Sequence, residues 1–259
     1  IGLSEVERIR IIQETNEAIA LIAGTGFLRT PLYRSSELSD VLGFTAEGGV
    51  WIKDETHNVA GSHKARHLFT ELLHLLFAEA VGVSPWTPST RPPLAIASCG
   101  NAAIAASTLA AAVRWPIYVH VPPAATAEVL TALTELDADV RVCARLPEDE
   151  AGDPCVLRFR EAVANGAIAF GVQGTENAWC LDGGRTIGWE IADAQERESG
   201  PPLDRLFVQV GGGAFAASVS RGLSEAGINA PLVAVQIEGC APLSRAWNTA
   251  QSDANPAQH

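Results

Sequence analysis

Two side chains of this sequence, Lys53 and Lys64, carry primary amines, against sixteen arginines. Lys64 follows Gly61-Ser62-His63 at the predicted start of a helix, for which Ser62 is the natural N-cap. The positive end of the helix dipole and desolvation both disfavour an ammonium ion there, which favours a nucleophilic amine. A surface lysine at a helix start fits the local pattern of Lys64 equally well, and a structural role is favoured for Lys53.

A second segment with chemical potential is Ser98-Cys99-Gly100-Asn101, which ends a buried apolar strand and begins an alanine-rich helix. Asn101 can cap that helix, and the free N–H groups of its first turn would suit a carboxylate. The common structural alternative is a capped helix that uses small residues for close packing.

A third segment, Gly211-Gly212-Gly213-Ala214, again lies between a strand and a helix. Glycines let backbone N–H groups surround a phosphate without interference from Cβ atoms. The same stretch also has the pattern Gly211-x-Gly213-x-x-Ala216, and Glu238 follows at the distance of a ribose-binding acid. A nicotinamide-dependent oxidoreductase therefore remains an alternative at this point.

Metal and disulfide chemistry are not expected. His63 and His67 are spaced to share a helix face, but no third ligand accompanies them. The five cysteines are scattered and odd in number, which indicates free thiols in a reducing compartment.

The elements that must position these segments alternate as strand and helix from residue 94 onward, which predicts an α/β protein with open, mainly parallel twisted sheets. The predicted strands are Leu94–Ser98, Ile117–Val121, Asp139–Cys143, Ile168–Val172, Leu206–Val210 and Leu232–Ile237. The predicted helices are Ala102–Val113, Ala127–Leu136, Cys155–Ala164, Arg185–Gln195 and Ala214–Ala226. Loops or linkers are predicted at 84–93, 147–154 and 198–202.

Composition narrows the classes of partner. The 259 residues are 47% hydrophobic and carry a formal charge of −12 without a basic run, so neither nucleic acid nor a membrane surface is an expected partner. A small-molecule partner and a cytoplasmic location are expected instead. The absence of an initiator Met, and an end soon after a strand-like run, suggest a fragment that is open at both ends.

The motifs occur together in a recognisable order: Thr30-Pro31-Leu32, Lys53-Asp54-Glu55, Gly61-Ser62-His63-Lys64, Ser98-Cys99-Gly100-Asn101 and Gly211-Gly212-Gly213-Ala214. In this order and spacing the sequence resembles the fold type II pyridoxal-phosphate-dependent enzymes, the tryptophan synthase β-like superfamily. The resemblance implies a larger cofactor-binding domain of residues 1–88 with 170–259. It also implies a smaller inserted α/β domain of residues 89–169.

By this resemblance pyridoxal 5'-phosphate is the expected cofactor, and Lys64 is the lysine that would form a Schiff base with its aldehyde. Asn101 would contact the ring hydroxyl, and Gly211, Gly212, Gly213 and Ala214 would hold the phosphate, with His63 beside it. The turn of Ser98, Cys99, Gly100 and Asn101 would receive the substrate carboxylate. The residue that faces the pyridine nitrogen is expected beyond residue 259.

The resemblance is greatest to the threonine synthase and serine/threonine dehydratase branch. It implies a lyase that acts on a small amino acid, with abstraction of the α proton by Lys64 and β- or γ-elimination or replacement. It also implies a homodimer. A non-catalytic relative with the same fold is the other alternative to be tested.

Overall fold

The computed structural model describes residues 2–45, 48–198 and 202–254. Across these ranges the chain forms nine α-helices and eight β-strands. The helices are α1 (Glu5–Ala23), α2 (Ser36–Val41), α3 (Lys64–Ala80), α4 (Asn101–Ala112), α5 (Ala127–Glu135), α6 (Pro154–Ala164), α7 (Cys180–Glu198), α8 (Ala214–Glu225) and α9 (Pro242–Ala254). The strands are β1 (Leu32–Ser35), β2 (Val50–Lys53), β3 (Leu94–Ala97), β4 (Ile117–Val121), β5 (Asp139–Val142), β6 (Ile168–Ala169), β7 (Leu206–Gln209) and β8 (Leu232–Val235).

The chain divides into two compact units. The first comprises Ile1–Pro31 with Lys53–Gly183, and the second comprises Leu32–Ile52 with Gly184–His259. These boundaries differ from the predicted domains, residues 1–88 with 170–259 and residues 89–169, which stay a prediction. The predicted loop at 198–202 and the chain end at 255–259 lie largely outside the described residues.

The first unit contains a parallel sheet with strand order β5-β4-β3-β6. Its central strands are apolar because helices cover them. Leu94, Ala95 and Val119 on these strands have no exposed surface. The sheet confirms the prediction of an α/β fold with parallel strands. Strand β6 is shorter than predicted, because after Ala169 the backbone leaves the ladder and Gly171 N–H donates to the side chain of Glu71.

Small residues let α4 pack closely on α3 in the first unit. Ala103, Ala105 and Ala106 are fully buried on α4, and Leu68 and Leu72 are fully buried on α3. Removal of this apolar surface from water is the main stabilising contribution to the unit. It also fixes the axis of the helix on which Lys64 lies.

The second unit contains the parallel pair β7 and β8, covered by α8. The helical part of this unit packs through glycines: a Cβ on Gly188 would lie 2.5 Å from Val219 O, and one on Gly222 would lie 2.2 Å from Arg185 O. The backbones of α7 and α8 therefore approach more closely than side chains at these positions would allow.

None of the helices within the described ranges combines the length and apolar character needed to cross a membrane.

A third close approach leads to a test of the packing of α3. A Cβ on Gly183 would lie 2.0 Å from Arg66 O and 2.8 Å from His67 Cα, and both are backbone atoms that cannot move aside. Alanine normally stabilises a helix relative to glycine, but here we expect Gly183→Ala to lower the free energy of unfolding by about 3 kcal/mol. Urea unfolding measures this change.

Gly174→Ala is the matched control, because its Cβ would make an ordinary 3.4 Å contact with the Leu181 side chain. Equal stability of the two variants would contradict the close approach of α3 and the first turn of α7.

Candidate active site

Lys64 is the first residue of α3, as predicted. The N-cap is His63, whose side chain makes no capping bond, and the preceding Ser62 is extended and accepts a bond from Lys64 N at 3.4 Å. His63 already has helical backbone angles, so the extended Ser62, whose hydroxyl accepts from Lys64 N, makes the capping bond that was predicted for it. Burial lowers the pKa of Lys64 from 10.5, which favours the neutral amine.

Two imidazoles accompany Lys64 on α3. The rings of His63 and His67 meet edge to face with centroids 5.8 Å apart. Burial, and then the charge of Lys64, lowers the pKa of His63 from 6.5 to about 3. His67 is 2% exposed, its pKa is lowered mainly by burial, and its Nδ1 lies 2.6 Å from Cys180 O, which accepts the bond. Both rings are therefore neutral at physiological pH.

A buried ion pair, which the sequence analysis missed, holds the start of α3. Arg66 donates from Nε to Glu55 Oε2 at 2.8 Å and from Nη2 to Glu55 Oε1 at 3.0 Å. The two side chains are 6% and 11% exposed. Glu55 also accepts from the Thr30 hydroxyl and, at 2.8 Å, from Asn58 Nδ2. The contacts with Arg66 and Thr30 join the loop before Lys64 to other segments of the first unit, and the contact with Asn58 lies within that loop.

Lys53 takes part in the same region through its ammonium group, which donates to Thr30 O at 2.6 Å. Asp54 N–H donates to Pro31 O at 2.9 Å. These bonds tie the strand end to the segment at residues 30–31. They agree with the structural role that was favoured for Lys53.

The turn Ser98–Asn101 joins β3 to α4 in the first unit, as predicted. Gly100 is the N-cap, and no side chain caps the helix, so the prediction of Asn101 as the cap is wrong. The reason is that the chain turns into the helix at Asn101 itself, whose side chain is exposed, as is Cys99. The N–H groups at the start of α4 are thus free of side-chain capping and suit an anion.

The glycine turn lies in the second unit, between β7 and α8. Gly213 is the N-cap of α8 with φ +95°, a conformation that side chains disfavour, and a Cβ on Gly211, Gly212 or Gly213 would meet no atom within 4 Å. The turn therefore offers backbone N–H groups in open space at the start of a helix. The structure agrees with the predicted strand, turn and helix.

Gln236 is a second residue that the sequence analysis missed. Its Nε2 donates to Val210 O at 2.9 Å, and its Oε1 accepts from Ser244 N. The side chain thus joins the residue after β7 to the first turn of α9, and its Nε2 also donates to Gly211 O at 3.4 Å. Glu238, the candidate ribose-binding acid, is exposed next to the bridge between Ile237 and Cys240.

Within the part of the chain that the structure describes, no three His, Cys, Asp or Glu side chains are grouped to hold a metal ion.

The buried ion pair leads to a stability test. Glu55→Gln or Arg66→Met alone leaves one buried group without its charged partner, so each should lower the free energy of unfolding by about 3–5 kcal/mol. The double variant removes both charges and should lose clearly less than the sum of the two. A double-mutant cycle by urea unfolding measures the coupling, and additive losses would contradict the pair.

The lowered pKa of His63 leads to a pH test. The unfolded imidazole takes a proton below 6.5, whereas the folded one takes it only near 3, so the unfolded state holds more protons between these values. Stability should therefore fall as the pH falls from 6.5 to 3, by up to about 5 kcal/mol from this group. His63→Gln should unfold less steeply with acid than the wild type and show no difference in slope above pH 7. Identical acid profiles would contradict the burial of His63.

Three solved structures show how similar the fold is to known proteins. Maize serine racemase has a TM-score of 0.68 and 18% identity, over 92% of this chain and 65% of that chain. The processed form of threonine deaminase isoform 2 from Solanum lycopersicum has a TM-score of 0.67 and 18% identity, over 96% and 64%. Diaminopropionate ammonia lyase from Escherichia coli, with an aminoacrylate-PLP azomethine reaction intermediate, has a TM-score of 0.72 and 18% identity, over 95% and 63%.

This chain thus spans slightly less than two thirds of the length of these proteins. Comparison of the sequence with curated proteins gave no match. The family model described as pyridoxal-phosphate dependent enzyme matches residues 24–259, which include Lys64, the Ser98–Asn101 turn and the glycine turn. The chain belongs to the pyridoxal-phosphate dependent enzyme family, whose cofactor is pyridoxal phosphate.

Proposed function

We propose that this protein is a pyridoxal-phosphate-dependent lyase that removes a substituent from Cβ of a small amino acid. The observation that carries the proposal is the desolvated amine of Lys64 at the start of α3, in a chain of this family. The likeness to threonine deaminase and diaminopropionate ammonia lyase supports elimination chemistry. Threonine synthase-like replacement chemistry, including a γ-substituent, belongs to the same proposal.

The residues present fit the cofactor part by part. An aldehyde needs a neutral amine, and burial lowers the pKa of Lys64. A phosphate needs N–H donors without side chains in the way, and the turn of Gly211, Gly212, Gly213 and Ala214 supplies them at a helix N-terminus. The likeness to enzymes of this family supports Asn101 as the contact of the ring hydroxyl and His63 as a neighbour of the phosphate.

The substrate carboxylate would bind to the N–H groups around Ser98, Cys99, Gly100 and Asn101. Neither Asn101 nor another side chain caps α4, so the positive end of the helix dipole is open to an anion. Cys99 is exposed in this turn and would lie beside the substrate. The turn would thus fix the orientation of the amino acid while Lys64 acts on its Cα.

Bound pyridoxal phosphate supplies an electron sink for the pair of electrons left when a bond to Cα breaks. The protein's own step is proton transfer: Nζ of Lys64 in its neutral form, which desolvation favours, takes the proton from Cα. The substituent on Cβ then leaves with its bonding pair. Burial of Lys64 lowers its pKa and so increases the fraction of amine that can accept that proton.

Racemisation is the second candidate, favoured by the likeness to maize serine racemase. It begins with the same proton transfer to Lys64, but a second acid on the opposite side then supplies a proton to Cα, and no β substituent leaves.

We also propose that the protein is a homodimer, on the basis of the family resemblance, and that it lies in the cytoplasm, on the basis of the five free cysteines. Sedimentation equilibrium of the holoprotein would measure the oligomeric state.

The first test identifies the lysine that binds the cofactor. After addition of pyridoxal phosphate, the wild type should show a visible absorbance band and, after borohydride reduction, one added mass that peptide mapping assigns to Lys64. Lys64→Ala should lose both signals. Lys53→Arg is the matched control, because it removes the other primary amine and keeps a donor for Thr30 O. Equal labelling of wild type and Lys64→Ala would overturn the proposal.

The second test separates the candidate reactions. With L-serine or L-threonine, a lyase should release ammonia and a keto acid, and a racemase should instead accumulate the D-amino acid. Lys64→Ala should lower either turnover by at least about a thousandfold, because it removes the base and the cofactor attachment. A labelled Lys64 with neither product would favour the non-catalytic alternative.

A further inference from the structure

A buried carboxyl group lies on the same helix as Lys64, two turns further along. Glu71 has no exposed surface, and its Oε2 accepts from Gly171 N–H at 3.0 Å. Its other oxygen, Oε1, is buried and has no hydrogen-bond partner among the described residues. Burial of a carboxyl with one oxygen unsatisfied is costly, so its retention calls for a role beyond packing.

The partner of Glu71 lies at the carboxyl end of the parallel sheet. Strand β6 pairs with β3 through Ile168 and Ala169, and Phe170 N–H still donates to Ala95 O at 2.9 Å. The next N–H, that of Gly171, turns away to Glu71. A Cβ on Gly171 would lie 3.9 Å from the Ile96 side chain, so this turn lies beside the last residues of β3.

The end of β3 leads directly into the Ser98–Asn101 turn, the proposed carboxylate site. The hydrogen bond from Gly171 to Glu71 therefore joins α3 to the carboxyl end of the sheet, where this turn lies. The two residues are 100 positions apart in the sequence. His67, one turn earlier on α3, makes a parallel connection to Cys180 O at 2.6 Å.

We propose that Glu71 is a positioning residue, whose buried carboxyl group holds the turn after β6 and the adjacent Ser98–Asn101 turn in place relative to the helix that begins at Lys64. The inference rests on the proposed function, because that function assigns Lys64 and Ser98–Asn101 to one substrate. Glu71 itself touches no reacting atom.

The surroundings of Glu71 favour the neutral acid. Its pKa is raised well above 4.5 by burial, against the lowering effect of the Gly171 bond. Cys180 on α7 is the titratable group whose own pKa is raised in part by Glu71. Strands β3 and β6 and helix α4 carry no ionisable side chain, and α1 buries only Thr15 and Ile19 among its residues.

Two variants separate the acceptor from the charge. Glu71→Gln keeps an oxygen for Gly171 N–H and cannot ionise, whereas Glu71→Leu fills the space and removes the acceptor. Amide hydrogen exchange of Gly171, measured without cofactor by mass spectrometry or NMR, should be at least tenfold faster in the Leu variant and close to wild type in the Gln variant.

The pH dependence of stability is the second measurement. The unfolded Glu71 loses its proton near pH 4.5 and the folded one at higher pH, so the unfolded state holds fewer protons in between and wild-type stability should fall as pH rises through that range. The urea midpoint of wild type should therefore fall relative to that of Glu71→Gln between pH 5 and pH 8. This slope reports the buried acid and not simply the packing.

The third measurement uses the holoprotein with L-serine. Glu71→Leu should lower kcat/KM about tenfold relative to wild type, and Glu71→Gln should restore it. If wild type forms no product, the proposed function fails, while exchange at Gly171 and the pH slope still decide the role of Glu71. The inference would be overturned if the Gly171 amide of Glu71→Leu exchanged at the wild-type rate. It would also be overturned if the urea midpoint of Glu71→Gln had the same pH dependence as that of the wild type.

Discussion

The buried ion pair of Arg66 and Glu55 is the interaction on which the geometry of the candidate site depends. Two buried charges are stable only when they pair with each other and their remaining polar atoms form hydrogen bonds. Arg66 pairs with Glu55, and Thr30 and Asn58 donate the further hydrogen bonds to Glu55. Few backbone arrangements satisfy all these bonds together. The loop before α3 is therefore constrained, and Lys64, two positions before Arg66, is constrained with it.

The burial that makes this network necessary also sets the chemistry of the groups around it. Removal from water disfavours the charged form of each group, so it lowers the pKa of Lys64 and His63 and raises that of Glu71. One physical cause thus shifts the pKa of an amine, an imidazole and an acid toward their neutral forms at and near the start of α3. The lowered pKa of Lys64 is a consequence of packing as much as of residue type.

Two turns in this protein, Ser98–Asn101 and Gly211–Ala214, present backbone N–H groups at the start of a helix. The Ser98–Asn101 turn and the glycine turn each end at a helix N-terminus without a side-chain cap, and the N-caps are Gly100 and Gly213. Glycine at these positions leaves the N–H groups accessible, and at Gly213 it also permits the left-handed backbone. Membership of the pyridoxal-phosphate dependent enzyme family favours pyridoxal phosphate over a nicotinamide cofactor for this chain.

The local pattern of the sequence was sufficient to predict the parallel α/β fold, both ends of strand β4, the start of α8 at Ala214 and the position of Lys64 at a helix start. The reason is that periodicity and glycine turns are properties of neighbouring residues. The cap of α4 was missed by one residue, at Gly100 and not Asn101, since a cap depends on the backbone angle at which the helix begins. The ion pair of Arg66 with Glu55, the bond between Glu71 and Gly171 and the support from Gln236 were decided by tertiary structure. They join residues that are 11, 100 and 26 positions apart, and only packing of the whole unit brings such groups within hydrogen-bond distance and out of water.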